Sequence, residues 1–257
     1  MLTTWLNCVV VVLAVSASLL FMWALDRLWP WEKRHAHNDL IGWQLSTLGT
    51  TYAVILGFML YAVWINLGVA NLNADDEANA LGNVYRLAEG LPAPQRVQME
   101  QLARSYADTV IDQDWPQMAA GEVAEASHKV NQDMWRTLMS IKNGTPSEIV
   151  AEDHALSELS VLTEHRRMRL VQNAFRLPTV LWFLLIVGGV VTIASASMFG
   201  SANKTLHTLQ VIAFSLLISL VLVSVADINR PFQGSVHVSD FAFRRAQHNM
   251  SGQGVKE

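Results

Sequence analysis

Charged residues are scarce in this 257-residue chain: Lys, Arg, Asp and Glu make up 16% of it, against 51% for hydrophobic residues. A soluble domain usually carries about 25% charged residues, so the composition argues against an ordinary soluble protein. The net charge is only −4, and no basic run indicates a nucleic-acid partner. The shortage of charge is concentrated in a few long apolar segments.

Cysteine is almost absent. Cys8 is the only one in the sequence, and a single thiol can form neither an internal disulfide nor a thiolate metal site. No Lys or Arg precedes the first apolar segment, and that segment is longer than the core of a cleaved signal peptide. We therefore expect it to be a retained membrane span, with Cys8 serving only in packing.

Four segments lack charged residues for at least the roughly 20 positions that a membrane helix needs. They cover residues 6–25, 40–74, 179–200 and 206–226. Strand signals are lacking elsewhere. The sequence predicts an all-α integral membrane protein with four transmembrane helices and a helical cytoplasmic domain inserted between the second and third. The expected boundaries are 1–70 and 177–228 for the spans, 71–176 for the inserted domain, and 229–257 for a cytoplasmic tail whose end is disordered.

Proline and turn residues divide the inserted domain into helices. One helix is predicted from about residue 94 to the Asp-Trp-Pro at 114–116, and another reaches Ile141 and ends at residues 143–144. The next has a clear start, because Thr145 is followed by Pro146 and, three residues after the cap, by Glu148.

Basic residues near the spans predict the orientation of the chain. Four lie in the connectors that follow the first and third spans, and seven flank the opposite ends. Because basic residues favour the cytoplasmic side, we expect the inserted domain and both termini in the cytoplasm of a bacterial inner membrane.

The second span is too long for a simple anchor, with 35 residues free of charge. Thr50, Val54 and Phe58 recur at every fourth position and so share one helix face. In a ring of subunits this face would surround an axis, where apolar rings can gate a pore. The alternative is that the three residues pack inside a four-helix bundle.

The inserted domain carries both acidic and basic residues that bear on this pore hypothesis. Asp75, Asp76 and Glu77 come just after the span and could form an acidic ring at the inner mouth of a pore, or only a solvated helix face. Arg166 and Arg169 fall on one face of a later helix. They could pair with these acids, or instead attract anions or lipid headgroups.

Signs of catalysis are lacking. His35 and His37 lie in a connector without the three convergent ligands that a metal site needs, and no phosphate loop or nucleophile motif occurs. The span centres carry no charged residue, which argues against a proton-driven transporter. We expect no enzyme activity, no metal and no cofactor.

Two short patches resemble bestrophins. Residues 55–58 (Ile-Leu-Gly-Phe, including Gly57), followed by Trp64, resemble the pore-lining second helix of that family. Residues 228–234 (Ile-Asn-Arg-Pro-Phe-Gln-Gly) resemble its Asn-Pro-Phe-Gly segment after the last span. The arrangement is most similar to that of the bestrophin-like family of bacterial membrane proteins. That resemblance marks as family motifs Glu77, Arg166, Arg169, Pro231, Phe232 and Gly234.

The resemblance implies a homo-oligomer, pentameric as in bestrophins, in which Thr50, Val54 and Phe58 form the neck of an axial pore. The chain departs from bestrophins in a polar neck residue, Thr50, and in two insertions, Arg230 and Gln233. It also lacks the acidic run that binds calcium in animal members, so a calcium clasp is not supported.

The function predicted from the sequence is a passive ion channel, with the lipid bilayer, inorganic ions and further copies of the chain as its partners. The alternative is a non-conducting membrane scaffold or sensor whose helical cytoplasmic domain binds a protein. That alternative requires Thr50, Val54 and Phe58 to contact other spans of the same chain.

Overall fold

The structure is a computed structural model that describes residues 2–142 and 144–251. Within these residues every regular element is helical, which confirms the all-α prediction. A 3-10 turn covers Ala88–Gly90 and a π turn covers Val110–Asp114. The α-helices are α1 (Leu2–Leu28), α2 (Trp31–His35), α3 (Asn38–Leu87), α4 (Ala93–Thr109), α5 (Trp115–Ala120), α6 (Ala126–Leu138), α7 (Pro146–Ala174), α8 (Thr179–Ser197), α9 (Lys204–Ile228) and α10 (Phe241–Met250).

Four of these helices, α1, α3, α8 and α9, are long and apolar enough to cross a membrane, which confirms the four predicted spans. α3 has 50 residues and is therefore about 75 Å long, against about 30 Å of hydrocarbon in a bilayer. The chain divides into two compact units, and it passes from one to the other inside α3, after Ile65.

The first unit contains the residues up to Ile65 together with Arg176–Asn229. In it α1 packs against α8 and α9, and α8 packs against α9. α3 is joined to α8 by Tyr52, whose hydroxyl donates to the backbone oxygen of Leu185 at 2.9 Å. Gly188 makes this approach possible, since a Cβ there would lie 2.5 Å from the Tyr52 ring.

The connectors of the first unit are held together by a group of polar contacts that we call the connector cluster. Arg34 is fully buried, pairs with Asp26 and donates to the backbone oxygen of Ser197 at 3.0 Å. The Asn38 side-chain amide both donates to and accepts from the backbone of Gly200, at 2.9 Å in each case. A Cβ at Gly200 would lie 2.4 Å from a backbone nitrogen, so this position has room only for glycine.

The second unit contains Asn66–Phe175 together with the described residues from Arg230 onwards. Its core is formed by the buried faces of the later part of α3 and of α4, α6, α7 and α10. Its largest fully buried apolar side chains include Tyr106, Phe243, Leu81, Met99, Met118, Met134, Leu138, Leu159 and Leu162.

The helix starts and ends in the second unit agree only partly with the sequence analysis. The capping box at Thr145 and Glu148 is formed as predicted, with Thr145 N donating to the Glu148 carboxylate at 2.7 Å. α6 ends earlier than predicted, at Leu138, so Ile141 is not helical. There the Ser140 hydroxyl donates to the backbone oxygen of Thr137, a local bond that competes with continuation of the helix. Residue 143 and the predicted disordered end after Ser251 lie outside the described residues.

The helix predicted to stop at the Asp-Trp-Pro does not stop there. α4 passes through the π turn directly into α5, and the end comes at Gly121 in a left-handed conformation with φ of 84°. Pro116 is the second residue of α5 and follows directly after the π turn, where the regular hydrogen bonding of the α-helix is already interrupted.

Candidate functional site

In the first unit, one face of α3 is uncovered. Thr50, Val54 and Phe58 are all exposed in the single chain, with Val54 at 54% and Phe58 at 65% of their accessible surface. Tyr52 and Leu56 point the opposite way and are buried. The packing inside the same chain that the scaffold alternative required for these three residues is therefore not observed.

Small residues lie beside this face. Gly49 and Gly57 have no atom within 4 Å of the position that a Cβ would occupy. They border an apolar groove of about 620 Å3, to which α8 and α9 also contribute, for example through Thr192 and Phe214. α3 therefore has an uncovered side that is wider than the face predicted from the sequence.

In the second unit, the three acids that follow the span have different surroundings. Asp76 is exposed, Asp75 is half-buried and Glu77 has no exposed surface. The Glu77 carboxylate accepts Nε of Arg169 at 2.8 Å and Nη2 of Arg169 at 3.1 Å. Of these three acids, Asp75 and Asp76 thus present charge to solvent, and Glu77 is paired with Arg169 inside the protein.

Arg169 is the centre of a buried ion cluster. Besides Glu77 it binds Asp114, with Nη2 3.1 Å from Oδ2. Asp114 also accepts the Ser127 hydroxyl at 2.6 Å, and Ser127 in turn accepts Nε of Arg166 at 2.9 Å. Two arginines and two carboxylates thus balance within the cluster, which is how charge can be buried without a large penalty. The pairing of arginines with acids after the span, one of the two alternatives from the sequence, is the one observed for Arg169.

Tyr106 completes the cluster by donating its hydroxyl to Glu77 at 2.7 Å. Burial and the nearby Glu77 carboxylate raise the pKa of Tyr106 well above its ordinary value, so the hydroxyl keeps its proton. Burial alone would lower the pKa of Arg169, but the Glu77 carboxylate and its hydrogen bonds outweigh this effect and raise it. Arg169 therefore keeps its charge, and Tyr106 acts as a neutral donor.

The π turn explains how Tyr106 and Asp114 reach the same site. In an unbroken α-helix, residues eight positions apart point about 80° away from each other. A π turn accommodates about one extra residue, which corresponds to about 100° of rotation and brings the two side chains to nearly the same side. Sequence reasoning missed Asp114 and Tyr106 because regular helical spacing does not group them, and it missed Ser127 because that residue lies on another helix, α6.

The Pro-Phe-Gln-Gly segment packs beside this cluster. Phe232 is buried against Trp115, with ring centroids 5.6 Å apart and planes at 85°. A backbone bond from Val238 N to Pro231 O, 2.7 Å long, closes the loop, and Gly234 adopts φ of 82°, which favours glycine. The guanidinium of Arg169 lies 5.5 Å from the Trp115 ring centroid.

Comparison with protein families identifies the chain. A family model described as the bestrophin-like domain matches residues 12–243, which is most of the sequence. The chain belongs to the bestrophin-like family. No curated protein and no solved structure matches it significantly. Family membership and the four apolar helices together make this bestrophin-like chain a multi-pass membrane protein of a group associated with ion channels.

The motif residues that carried the resemblance lie in different places in this bestrophin-like protein. Glu77, Arg166 and Arg169 meet in the ion cluster, and Phe232 packs on Trp115 next to it. Gly57 belongs to the first unit, where it lies on the uncovered side of α3. Among the described residues no group of three or more His, Cys, Asp or Glu could hold a metal ion.

Proposed function

We propose that this bestrophin-like protein is a homo-oligomeric ion channel whose axial pore is lined by α3. The observation that carries the proposal is the uncovered face with Thr50, Val54 and Phe58 in the middle of a membrane helix. Residues in a packed four-helix bundle would be covered by neighbouring spans of the same chain. Exposed apolar side chains at helical spacing form a narrow ring when several copies surround one axis.

In this proposal the neck lies at Val54 and Phe58, with Thr50 one turn away as a polar position. Asp75 and Asp76 contribute negative charge at the inner mouth and attract cations, because solvent-exposed carboxylates raise the local cation concentration. The subunit count is five, by resemblance to bestrophins. The protein resides in the bacterial inner membrane with both termini and the second unit in the cytoplasm.

The test is flux through the purified protein in liposomes under a salt gradient. Phe58→Ala removes the largest side chain of the proposed neck and should change the flux several-fold. Phe183 on α8 is the matched control, since its side chain is exposed to a similar degree, 69% against 65%. Phe183→Ala should leave the flux unchanged.

One outcome would contradict the channel, and another would contradict the position of its neck. If the wild type carried no flux under any salt gradient and was monomeric or dimeric, the scaffold or sensor alternative would be favoured. If Phe58→Ala and Phe183→Ala behaved alike, the neck would lie elsewhere, even in a conducting protein.

A further inference from the structure

Between residues 70 and 78, in the second unit, α3 packs through a face of small side chains, and the larger buried residues Leu81 and Val84 come only later in the helix. Ala70, Ala74 and Ala78 are buried and lie one helical turn apart. Alanine lets a helix approach its neighbours closely, but apolar contact is non-directional and methyl groups give the surface little relief. Over these residues the face therefore does little by itself to fix the rotation of α3 about its own axis.

Two polar side chains on the buried side make directional hydrogen bonds, which the alanine face lacks. Asn73 donates Nδ2 to the backbone oxygen of His165 at 2.9 Å, and it accepts Nδ1 of His165 at 2.7 Å. One turn further on, Glu77 accepts two hydrogen bonds from Arg169. Both residues are buried, Asn73 at 7% and Glu77 at 0% exposure, and their partners are one turn apart on α7.

The opposite side of this stretch carries different chemistry. Leu72 is 63% exposed, and Asp76 and Asn79 are exposed as well. On an α-helix Glu77 points about 140° away from Leu72 and about 160° away from Asn79. A rotation of α3 by one residue would therefore bring a side chain that now faces the core, Ala78 or Ala80 according to the sense of rotation, to the place of the exposed Asn79.

We propose that Asn73 and Glu77 are positioning residues that fix the rotation of α3 and so determine that Leu72, Asp76 and Asn79 face outwards. They act through His165 and Arg169, and Asp114 supports them by holding Arg169 from the other side. Buried polar pairs specify register in this way when the surrounding packing does not. We also infer that this rotation sets the open state, and that consequence rests on the proposed function. The role of Asn73 and Glu77 in fixing the rotation does not depend on the proposed function.

Cysteine reactivity can test the rotation directly. Because Cys8 is the only cysteine, Cys8→Ser gives a background without thiols. Into it we would introduce Leu72→Cys on the exposed side, Ala78→Cys on the buried side, or Met134→Cys in the core on α6, and measure modification by a water-soluble maleimide. With the polar pairs intact, Leu72→Cys should react much faster than the other two.

The same measurement is then repeated with Glu77→Gln or Arg169→Gln added. Losing hydrogen bonds between charged groups should raise the reaction rate at Ala78→Cys by about tenfold or more, while Met134→Cys stays protected. Arg169→Lys, which keeps the charge, should return part of the protection at Ala78→Cys. Two results overturn the proposal: an unchanged pattern in folded variants, or rates that rise equally at Ala78→Cys and Met134→Cys, which means loss of the whole core.

Single-channel recording separates this inference from the proposed function. A rotation that sets the open state predicts that Glu77→Gln changes the open probability without changing the unitary conductance. A changed conductance with constant open probability would contradict the link to opening. If the wild type showed no channels, the proposed function would fail, and the cysteine rates would still decide whether Glu77 and its partner Arg169 fix the rotation.

Discussion

Arg169 binds Glu77 through two hydrogen bonds of 2.8 and 3.1 Å, although 92 residues separate them in the chain, and neither side chain has exposed surface. A buried ion pair adds little net stability over a well-packed apolar pair, but the loss of one partner leaves an uncompensated buried charge. The pair is therefore better understood as a constraint on how α3 and α7 meet than as a source of stability.

Replacing Arg169 should show how much the loss of one partner costs. Arg169→Met leaves Glu77 and Asp114 buried without their partner, and we expect it to lower the free energy of unfolding by about 3–5 kcal/mol. Arg167→Met is the matched control on the same helix, because Arg167 pairs with Glu164 at the surface, where ion pairs contribute little. Chemical denaturation in detergent measures both, and equal small effects would contradict the role of Arg169.

The raised pKa of Tyr106 predicts that the folded protein loses stability at high pH. Its pKa is raised above 10.0 in the folded protein by burial and by the Glu77 carboxylate, so the unfolded chain loses the proton first. This contribution is complete below pH 10 and declines as the pH rises above it. Tyr106→Phe should flatten that decline in a plot of unfolding free energy against pH, and an unchanged slope would contradict the prediction.

Gly200 should tolerate no side chain. In Gly200→Ala the new Cβ would lie 2.4 Å from His35 N and 2.6 Å from Trp31 O, and backbone atoms cannot give way as a flexible side chain does. We expect the connector cluster to open and the thermal midpoint to fall. Gly49→Ala is the control, since nothing lies within 4 Å of its Cβ position, and helix propensity should make it neutral or stabilising by up to about 1 kcal/mol.

Asp76 should influence ion selectivity if the proposed function is correct. Asp76→Asn removes an exposed charge near the predicted inner mouth, so the ratio of cation to anion permeability should fall. The effect should be larger at low ionic strength, because salt screens exposed charges. Reversal potentials in asymmetric salt measure the ratio. Glu89→Gln, an exposed acid in the 3-10 turn beyond α3, is the control, and equal shifts in both variants would argue against a specific role.

Features that depend on local pattern were predictable from the sequence. The charge-free runs gave the four apolar helices, and Thr145 with Glu148 marked the start of α7. The four-residue spacing of Thr50, Val54 and Phe58 correctly placed them on one helix face. Periodicity alone left open whether this face is covered, because a lipid-facing, pore-facing or packed stripe has the same spacing.

Features that depend on tertiary contacts were not predictable. Arg34 was counted only as a positive charge for orientation, yet it is fully buried and pairs with Asp26. Asp114 looked like the end of a helix, because the π turn that brings it to Arg169 has no clear sequence signal. Each residue also has a partner far away in the sequence, which no local pattern reveals: Arg34 donates to the backbone oxygen of Ser197, and Asp114 accepts from Arg169.

The second unit is formed by two separate segments of the sequence, one before and one after α8 and α9. This has a consequence for biosynthesis. Its core needs Phe243 and Met250 from α10, but α8 and α9 are translated before them. Protein synthesis adds about 5–20 residues per second, so Glu77 leaves the ribosome roughly 5–20 s before Arg169. During that time Glu77 lacks its Arg169 partner. The unit can complete its folding only after both later spans have been synthesised, so nascent chains stalled within α8 or α9 should be the most susceptible to proteolysis and to capture by chaperones.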